Sequence, residues 1–189
     1  MMAKRHIGYL ALALSVGIVL WIMMMGSDQK GNRKKIKTPV QPAAMTSAQK
    51  IPVHMYFSDQ SGQFLMAESR VLKTARDPEF LARRIIDALI KGPIKKGLTR
   101  TLPAATDLRA VFVTQDGVCF VDLTSAVAEN HPGGIHSELL TIYSIVNSLV
   151  LNVPQIKAVK ILINGTEAMT LAGHINLQIP IKANMLLIR

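Results

Sequence analysis

Four polar side chains in the second half of the chain could, by their types, do metal or acid–base chemistry. His131, His136 and Glu138 stand close together, and His174 is a further imidazole. Two imidazoles and one carboxylate could ligate zinc, or could act as acid and base in a hydrolase. Their spacing matches no zinc motif such as H-E-x-x-H, and Glu138 equally suits the positive end of a helix dipole. We therefore predict no metal site and no catalytic site, and we keep a hydrolase using His131 and Glu138 as the alternative.

The other reactive side chains form no catalytic pattern. Asp107, Asp116 and Asp122 could form a carboxylate cluster, but Asp116 suits a turn and Asp122 a strand end. No serine stands in a G-x-S-x-G sequence, and no glycine-rich loop has the phosphate-binding form. Cys119 is the one cysteine, which excludes an intrachain disulfide and a cysteine-based zinc site. The sequence thus predicts a protein that is not an enzyme and that uses no cofactor.

A helix is predicted over Ile135–Asn152, because its apolar residues recur at intervals of three and four. Its other face carries a single charge, Glu138, whereas a solvated helix face normally carries several. Hydroxyl side chains follow this face at helical spacing, namely Ser137, Thr141, Ser144 and Ser148. We interpret this hydroxyl stripe as a candidate interaction surface, to be covered by a partner protein, a second copy of the chain or the C-terminal tail.

Basic residues are concentrated between Arg70 and Arg109, where ten Lys and Arg residues stand against four acids. Such a bias could bind anionic wall polymer, lipid headgroups or an acidic protein surface. An ordinary solvated face is the competing interpretation. The candidate contacts with anions or the cell wall are Arg83, Arg84, Lys91, Lys95, Lys96 and Arg100.

The first fifty residues differ from the rest, with eight basic groups against one acid. Residues 7–26 carry no charge over a length close to that of a membrane span. The bulky residues at 22–25 do not suit signal peptidase, so we predict an uncleaved signal-anchor, with cleavage as the alternative. The predicted organisation is a transmembrane helix within 1–28, a basic and then Pro/Ala-rich linker over 29–50, and a folded domain over 51–189.

The orientation of this anchor is not decided by charge alone. Lys4 and Arg5 precede the span, but a larger basic cluster at 30–37 follows it. The very short N-terminal flank favours translocation of the domain. We predict a single-pass protein of the bacterial cytoplasmic (inner) membrane whose domain faces the periplasm or extracytoplasmic space. No aromatic residue is interleaved with the basic cluster, so nucleic acid is not an expected partner.

The order of elements in the folded part predicts an α+β fold. Two strands, over 51–57 and 63–72, precede a helix that begins at Asp77-Pro78 and ends at Gly92-Pro93. Asp116-Gly117 and Asn164-Gly165 each indicate a hairpin, over 108–123 and 156–171. The apolar tail 175–188 could add a last strand or two. We predict two helices packed on one face of a mixed, largely antiparallel sheet.

Five short motifs in this order resemble those of the GerMN domain, which is named for spore-germination and sporulation proteins. The resemblance covers about residues 51–182. The motifs are Leu89-Ile-Lys-Gly-Pro93, Gly97-Leu98…Leu102-Pro103, Asp116-Gly117…Val121-Asp122-Leu123-Thr124, Glu138…Ser144-Ile-Val-Asn147-Ser-Leu149 and Ile161-Leu-Ile-Asn-Gly165…Leu171-Ala-Gly-His174.

The resemblance implies a tethered extracytoplasmic domain with no known enzyme activity, which acts in envelope assembly through protein or cell-wall contacts. The chain departs from the family in two places. No lipobox cysteine follows the apolar run, so the span must be the anchor, and Val127 stands where the family often has an aromatic residue. We predict a membrane-anchored, non-catalytic envelope domain that binds envelope proteins, cell-wall polymer or a second copy of itself. An anionic lipid binder is a further alternative.

Overall fold

The computed structural model of the protein describes residues 49–74 and 77–189. The predicted anchor, 1–28, lies outside this part of the chain, as does the linker over 29–50 except for its last two residues. Within the described residues, no helix is long and apolar enough to cross a bilayer.

The first sheet contains three strands, in the order β2-β1-β3. β1 (Gln49–Asp59) and β2 (Leu65–Thr74) pair antiparallel without a register shift, from Gln49↔Thr74 to Ser58↔Leu65. The turn between them is held by Asp59, whose carboxylate accepts hydrogen bonds from the backbone N–H of Gln63 and Phe64. β3 (Leu98–Thr99) pairs with the end of β1.

The second sheet has the order β4-β5-β6-β7. β4 (Leu108–Val113) and β5 (Val118–Leu123) form the hairpin predicted at Asp116-Gly117. β6 (Ala158–Ile163) pairs parallel with β5, and β7 (Thr166–Glu167) pairs antiparallel with β6. The turn at Asn164 (φ 51°) and Gly165 (φ 77°) has both central residues at positive φ, as a type I′ hairpin requires.

The described residues include three α-helices, α1 (Pro78–Lys91), α2 (Ala126–Glu129) and α3 (Ile135–Val150). The predicted start of α1 is confirmed, because Asp77 accepts a hydrogen bond from the N–H of Glu79 and Pro78 takes the first helical position. Gly92 ends α1 at φ 86°, where a Cβ atom would lie 2.8 Å from the guanidinium of Arg100. α3 ends two residues before the predicted Asn152.

The α+β class and the mixed pairing are confirmed, but three details of the predicted fold are wrong. The strands form two sheets, because α3 and β3 occupy the edge of β1 that a joined sheet would need. The four-residue α2, whose Val127 is fully buried, was not predicted. The tail forms single bridges, Val159↔Ile181 and Leu65↔Ile188, and a 3₁₀ turn (Met185–Leu187) instead of strands.

α1 and α3 share one hydrophobic core with both sheets. Its fully buried side chains include Phe57 and Met55 from β1, Ile85 and Leu89 from α1, Ile142 and Ile145 from α3, and Val121 and Ile161 from the second sheet. α3 lies against β1, β6 and α1, so both of its faces are enclosed over most of its length.

Candidate functional site

The hydroxyl stripe of α3 meets the backbone of β1. The Ser148 hydroxyl accepts a hydrogen bond from the N–H of Tyr56 at 3.0 Å. The Ser144 hydroxyl donates a hydrogen bond to the carbonyl of Tyr56 at 2.6 Å. One turn further on, the Asn152 amide bonds both the N–H and the carbonyl of His54, at 2.8 and 2.7 Å. These side chains make the hydrogen bonds that a neighbouring strand would otherwise make.

The helix fits the strand because four residues along α3 cover nearly the same distance as two residues along β1. Four residues of an α-helix advance about 6 Å, and two residues of a strand advance about 6.6 Å. Positions 148 and 152 therefore stay in step with Tyr56 and His54 of an antiparallel strand, and Ser144, one turn earlier, bonds the carbonyl of Tyr56. Small side chains at 144 and 148 also let the helix lie close to the strand backbone.

The N-terminal part of the stripe joins a second network. Thr141 donates its hydroxyl hydrogen to the carbonyl of Thr101 at 2.7 Å, and the Thr101 hydroxyl donates to Ser144 at 2.7 Å. His131 Nδ1 accepts from the N–H of Gly133 at 3.0 Å, so its Nε2 carries the hydrogen that points to Thr141. His131 is thus held as the neutral imidazole, and burial lowers its pKa although the nearby Glu138 charge opposes this shift.

These contacts correct the prediction of an interaction surface on the stripe. Thr141, Ser144 and Ser148 are almost completely buried by β1 and the Thr101 loop of the same domain. Ser137 alone of the four is partly exposed. The unusual face was rightly expected to be covered, but its cover is an internal strand edge, which sequence spacing within the helix does not reveal.

Glu138 is fully buried and fixes the segment after β7. Its carboxylate accepts hydrogen bonds from the backbone N–H groups of Leu171, Ala172, His174 and Ile175, at 2.9 to 3.2 Å. His174 Nδ1 lies 3.0 Å from the same carboxylate. Burial alone would raise the pKa of Glu138, but these N–H groups together lower it. The segment therefore leaves the sheet, which explains why β7 is shorter than predicted.

The histidines and carboxylates do not assemble as a reactive group. His136 projects instead to the carbonyl of Gln63, at 3.0 Å. Among the residues that the structure describes, no three His, Cys, Asp or Glu side chains could together hold a metal ion. Asp122 pairs with Arg109 at 2.9 Å and accepts from the N–H of Gly165 at 2.7 Å. The Cys119 thiol is buried, which raises its pKa to about 12.

The six predicted basic contacts are all exposed. Arg83 and Arg84 project from the middle of α1, and Lys91, Lys95, Lys96 and Arg100 surround its C-terminal end. The Arg100 guanidinium also donates to the carbonyls of Ile90 and Lys91, where it meets the negative end of the helix dipole.

An ion pair that the sequence reading missed fixes this end of α1 to β2. Arg70 donates to Glu68, to the carbonyl of Ala88 at 3.2 Å and to that of Gly92 at 2.6 Å. The Glu68 carboxylate accepts from the N–H of Ile94 at 2.9 Å and of Lys95 at 2.7 Å. The signal was present, because residues two apart on a strand lie on one face. We call this pair the Glu68–Arg70 clamp.

A second missed pair joins α3 to the C-terminal tail. The fully buried Asn147 donates to the carbonyl of Asn184 at 3.0 Å and accepts from its N–H at 2.9 Å. Asn147 stands inside the helical motif quoted above, but its partner 37 residues away could not be read from that motif.

Two concave surfaces lie beside these elements. A cleft of about 450 Å³ separates the first turns of α3 from the loop over 99–103, and no acidic side chain lines it within the described part of the chain. Its polar lining includes Ser58, Thr99, Arg100, Asn130, His136 and Ser137. A more open groove of about 610 Å³ follows β2 beside Ile94 and Lys95.

Comparison with known proteins identifies a matching family and solved structures with a similar fold. The family model described as "Germane: Sporulation and spore germination" matches residues 54–168. The crystal structure of a candidate lipoprotein from Clostridium perfringens is 24% identical and has a TM-score of 0.52, over 70% of this chain and 87% of that one. The first GerMN domain of the sporulation protein GerM from Bacillus subtilis is 19% identical and has a TM-score of 0.54, over 72% of this chain and 98% of that one.

The tandem GerMN domains of the same B. subtilis protein are 18% identical, with a TM-score of 0.57, over 72% of this chain and 47% of that one. A search of curated protein sequences found no match. At these identities the solved structures establish the fold alone. The family match covers more than half of the chain and confirms the GerMN resemblance, so the chain belongs to the Germane family of sporulation and spore germination domains.

Proposed function

We propose that this protein is a membrane-anchored, non-catalytic module of the bacterial envelope that acts by binding envelope proteins or cell-wall polymer. The observation that carries the proposal is the use of its buried polar side chains. Glu138, Glu68 and His131 each direct their polar atoms to backbone groups or side chains of the fold. Such groups hold loops in place, and the exposed surface is left to meet a partner.

The proposed location rests on the anchor predicted over 1–28 and on two relatives. The C. perfringens neighbour is a candidate lipoprotein, and the B. subtilis neighbour is a sporulation protein. Both descriptions suit a domain tethered to the outer side of the cytoplasmic membrane.

A topology reporter fused after Arg189 tests this location, because it is active on one side of the membrane only. We expect activity outside. Site-specific photocrosslinking through the full-length chain then tests the binding role, with the crosslinker at exposed Thr99 of the cleft or at exposed Arg83 of α1. We expect crosslinks to envelope proteins or wall polymer. A reporter active only in the cytoplasm, or crosslinks to cytosolic proteins alone, would contradict the proposal.

An anionic surface is a second candidate ligand, favoured by the exposure of all six predicted basic contacts. Binding to vesicles that contain anionic lipid should then fall steeply as salt rises, since exposed charges are screened within about 10 Å at 0.1 M salt. Replacing Arg83 and Arg84 with glutamate should weaken this binding. We do not propose the hydrolase alternative, because His131 and Glu138 are occupied by the contacts described above.

A further inference from the structure

The outer edge of β2 is open. Tyr56 and His54 of β1 direct their N–H and carbonyl groups to α3, so their partners Ala67 and Ser69 must direct theirs away from β1. Val71 continues this series two residues further on. Ala67 and Ser69 are exposed, and the Val71 side chain is 66% exposed.

The described residues contact this edge at its first residue. The carbonyl of Leu65 accepts a hydrogen bond from the N–H of Arg189 at 2.9 Å, and Leu65 forms a parallel bridge with Ile188. The C-terminal residues therefore already add a short strand-like segment to β2. Beyond Leu65, the outward backbone groups of Ala67, Ser69 and Val71 have no partner within the described part of the chain.

Two other strand edges carry side-chain partners. Ser144 and Ser148 of α3 and the following Asn152 bond the edge of β1, and the Glu79 carboxylate accepts from the N–H of Val113 on β4 at 2.9 Å. Natural sheets blunt an open edge with bulges, proline or a covering element. The pairing of β2 with β1 has no register shift, and β2 contains no proline. Such an edge is a template for an added strand.

The groove beside this edge has a fixed wall. The Glu68–Arg70 clamp holds the backbone of Ile94 and Lys95 next to β2. This places the Ile94 side chain, 79% exposed, and the exposed Lys95 along the groove of about 610 Å³. A strand laid on β2 would find an apolar contact and a cation already in position, so less conformational freedom would be lost on binding.

The charges around the groove favour one chemical type of added strand. The groove lining contains one acid, Glu68. Its carboxylate is already bonded to Arg70 and to two backbone N–H groups. The outward charges are those of Lys95, its neighbour Lys96 and Lys73 on β2 itself, all exposed. Pairing two copies through β2 would bring these cations together, and like charges across an interface are unfavourable. An acidic segment complements them.

We propose that the open edge of β2 binds an extended, acidic segment of a partner protein as an added strand. Its backbone pairs with Ala67, Ser69 and Val71, an apolar side chain contacts Ile94, and an Asp or Glu side chain meets Lys95. This inference rests on the proposed binding role and names the surface and the chemistry of the partner.

Selection from a library of displayed random heptapeptides on the purified full-length chain tests the proposal. We expect the selected peptides to be rich in β-branched residues and in Asp or Glu, and to slow amide hydrogen exchange at Ala67, Ser69 and Val71. Peptides without these preferences, protection elsewhere on the domain, or no selection at all would overturn it. Dimers of the free chain that protect the same amides would assign the edge to a second copy and would also overturn it.

Variants at the edge make the test sharper. Ser69→Pro removes an outward N–H and should weaken binding of a selected peptide about tenfold or more, whereas Ser69→Val keeps that N–H and should bind normally. Lys95→Glu should weaken binding about three- to tenfold, and the matched Lys182→Glu, outside the groove, should not. Equal binding by Ser69→Pro and Ser69→Val, or by the two lysine variants, would overturn the proposal.

If Ser69→Pro does not fold, the ligand supplies the equivalent change. A selected peptide N-methylated at alternate residues should lose binding to the unaltered chain in one of the two patterns and keep it in the other. Loss in both patterns or in neither would overturn strand addition. The outcome is separable from the proposed function, because the topology reporter and the cleft crosslinks do not depend on β2.

Discussion

The two long edges of the three-stranded sheet are treated in opposite ways. At the edge of β1, Ser144 and Ser148 of α3 and the following Asn152 bond the backbone of Tyr56 and His54, and the bonds to Tyr56 are buried. At the edge of β2, the equivalent backbone groups of Ala67 and Ser69 face solvent beside a basic loop. The same chemical groups are therefore internal on one side of the sheet and available on the other.

This difference shows what the polar side chains of the domain do. On the closed side, Ser144, Ser148 and Asn152 replace a neighbouring strand, so their cost of burial is met by backbone partners. On the open side, the Glu68–Arg70 clamp holds the backbone of Ile94 beside β2. The clamp thereby shapes a groove and leaves the strand edge uncovered. We therefore expect substitutions on the closed side to reduce stability and substitutions on the open side to affect binding.

The largest effect on stability is expected at Glu138, which fixes α3 to the segment over 171–175. Glu138→Gln replaces one carboxylate oxygen by an NH₂ group that cannot accept from the backbone N–H donors, and it removes the charge. We expect a loss of about 3 kcal/mol in the free energy of unfolding, measured by chemical denaturation. The exposed Glu129→Gln is the matched control and should change it by less than about 0.5 kcal/mol. Similar losses in both variants would show that the segment is not held by Glu138.

A smaller loss is expected when the closed edge itself is broken. Ser148→Ala leaves the N–H of Tyr56 without an acceptor in a buried place, which should cost about 1 to 3 kcal/mol. Amide hydrogen exchange should accelerate at Tyr56 more than at Ala67. Ser137→Ala, at the partly exposed end of the stripe, provides the comparison and should be nearly neutral. If the two serine variants were equally stable, the hydrogen bonds of α3 to β1 would not matter to the fold.

Much of the fold could be predicted from local signals. Asp77-Pro78 gave the start of α1, and Asp116-Gly117 and Asn164-Gly165 gave two turns, because capping and turn geometry depend on a few adjacent residues. The division into two sheets could not be read in this way. It depends on α3 lying in register with β1, a match between residues about ninety positions apart.

The same limit applies to the candidate sites. The hydroxyl stripe was recognised from spacing, but its partner is backbone, which has no sequence signature. The predicted basic contacts are exposed, since long charged side chains seldom become buried without a partner. Their role in binding anions or cell wall stays a prediction. The spacing of Glu68 and Arg70, two apart on β2, indicates that they lie on one face of the strand. Their role in shaping the groove depends on the position of the loop over 92–95, which the sequence does not show.

The smallest effect expected on the closed side depends on pH. Burial lowers the pKa of His131 below its ordinary value of about 6.5, so the unfolded chain takes up a proton more readily than the folded one. The contribution of neutral His131 is therefore fully present above about pH 6.5 and is lost as the pH falls through its folded pKa. Protonation would place a hydrogen on Nδ1, where the N–H of Gly133 already donates, and would loosen the loop beside the cleft.

His131→Gln isolates this contribution. The amide of Gln can still donate to Thr141 but does not titrate, so the fall in unfolding free energy between about pH 7.5 and pH 5.5 should be smaller than in the unaltered chain. His136→Gln, at an exposed position, serves as the control and should retain the full pH dependence. In the unaltered chain, acid should reduce the protection of the amides of Gly133 and Thr141, measured as exchange relative to the intrinsic rate at the same pH. The protection of Ala67 and Ser69 should not change, since their outward N–H groups are free at either pH. An equal loss of protection at both edges would mean that the acid response belongs to the whole domain and not to the closed side.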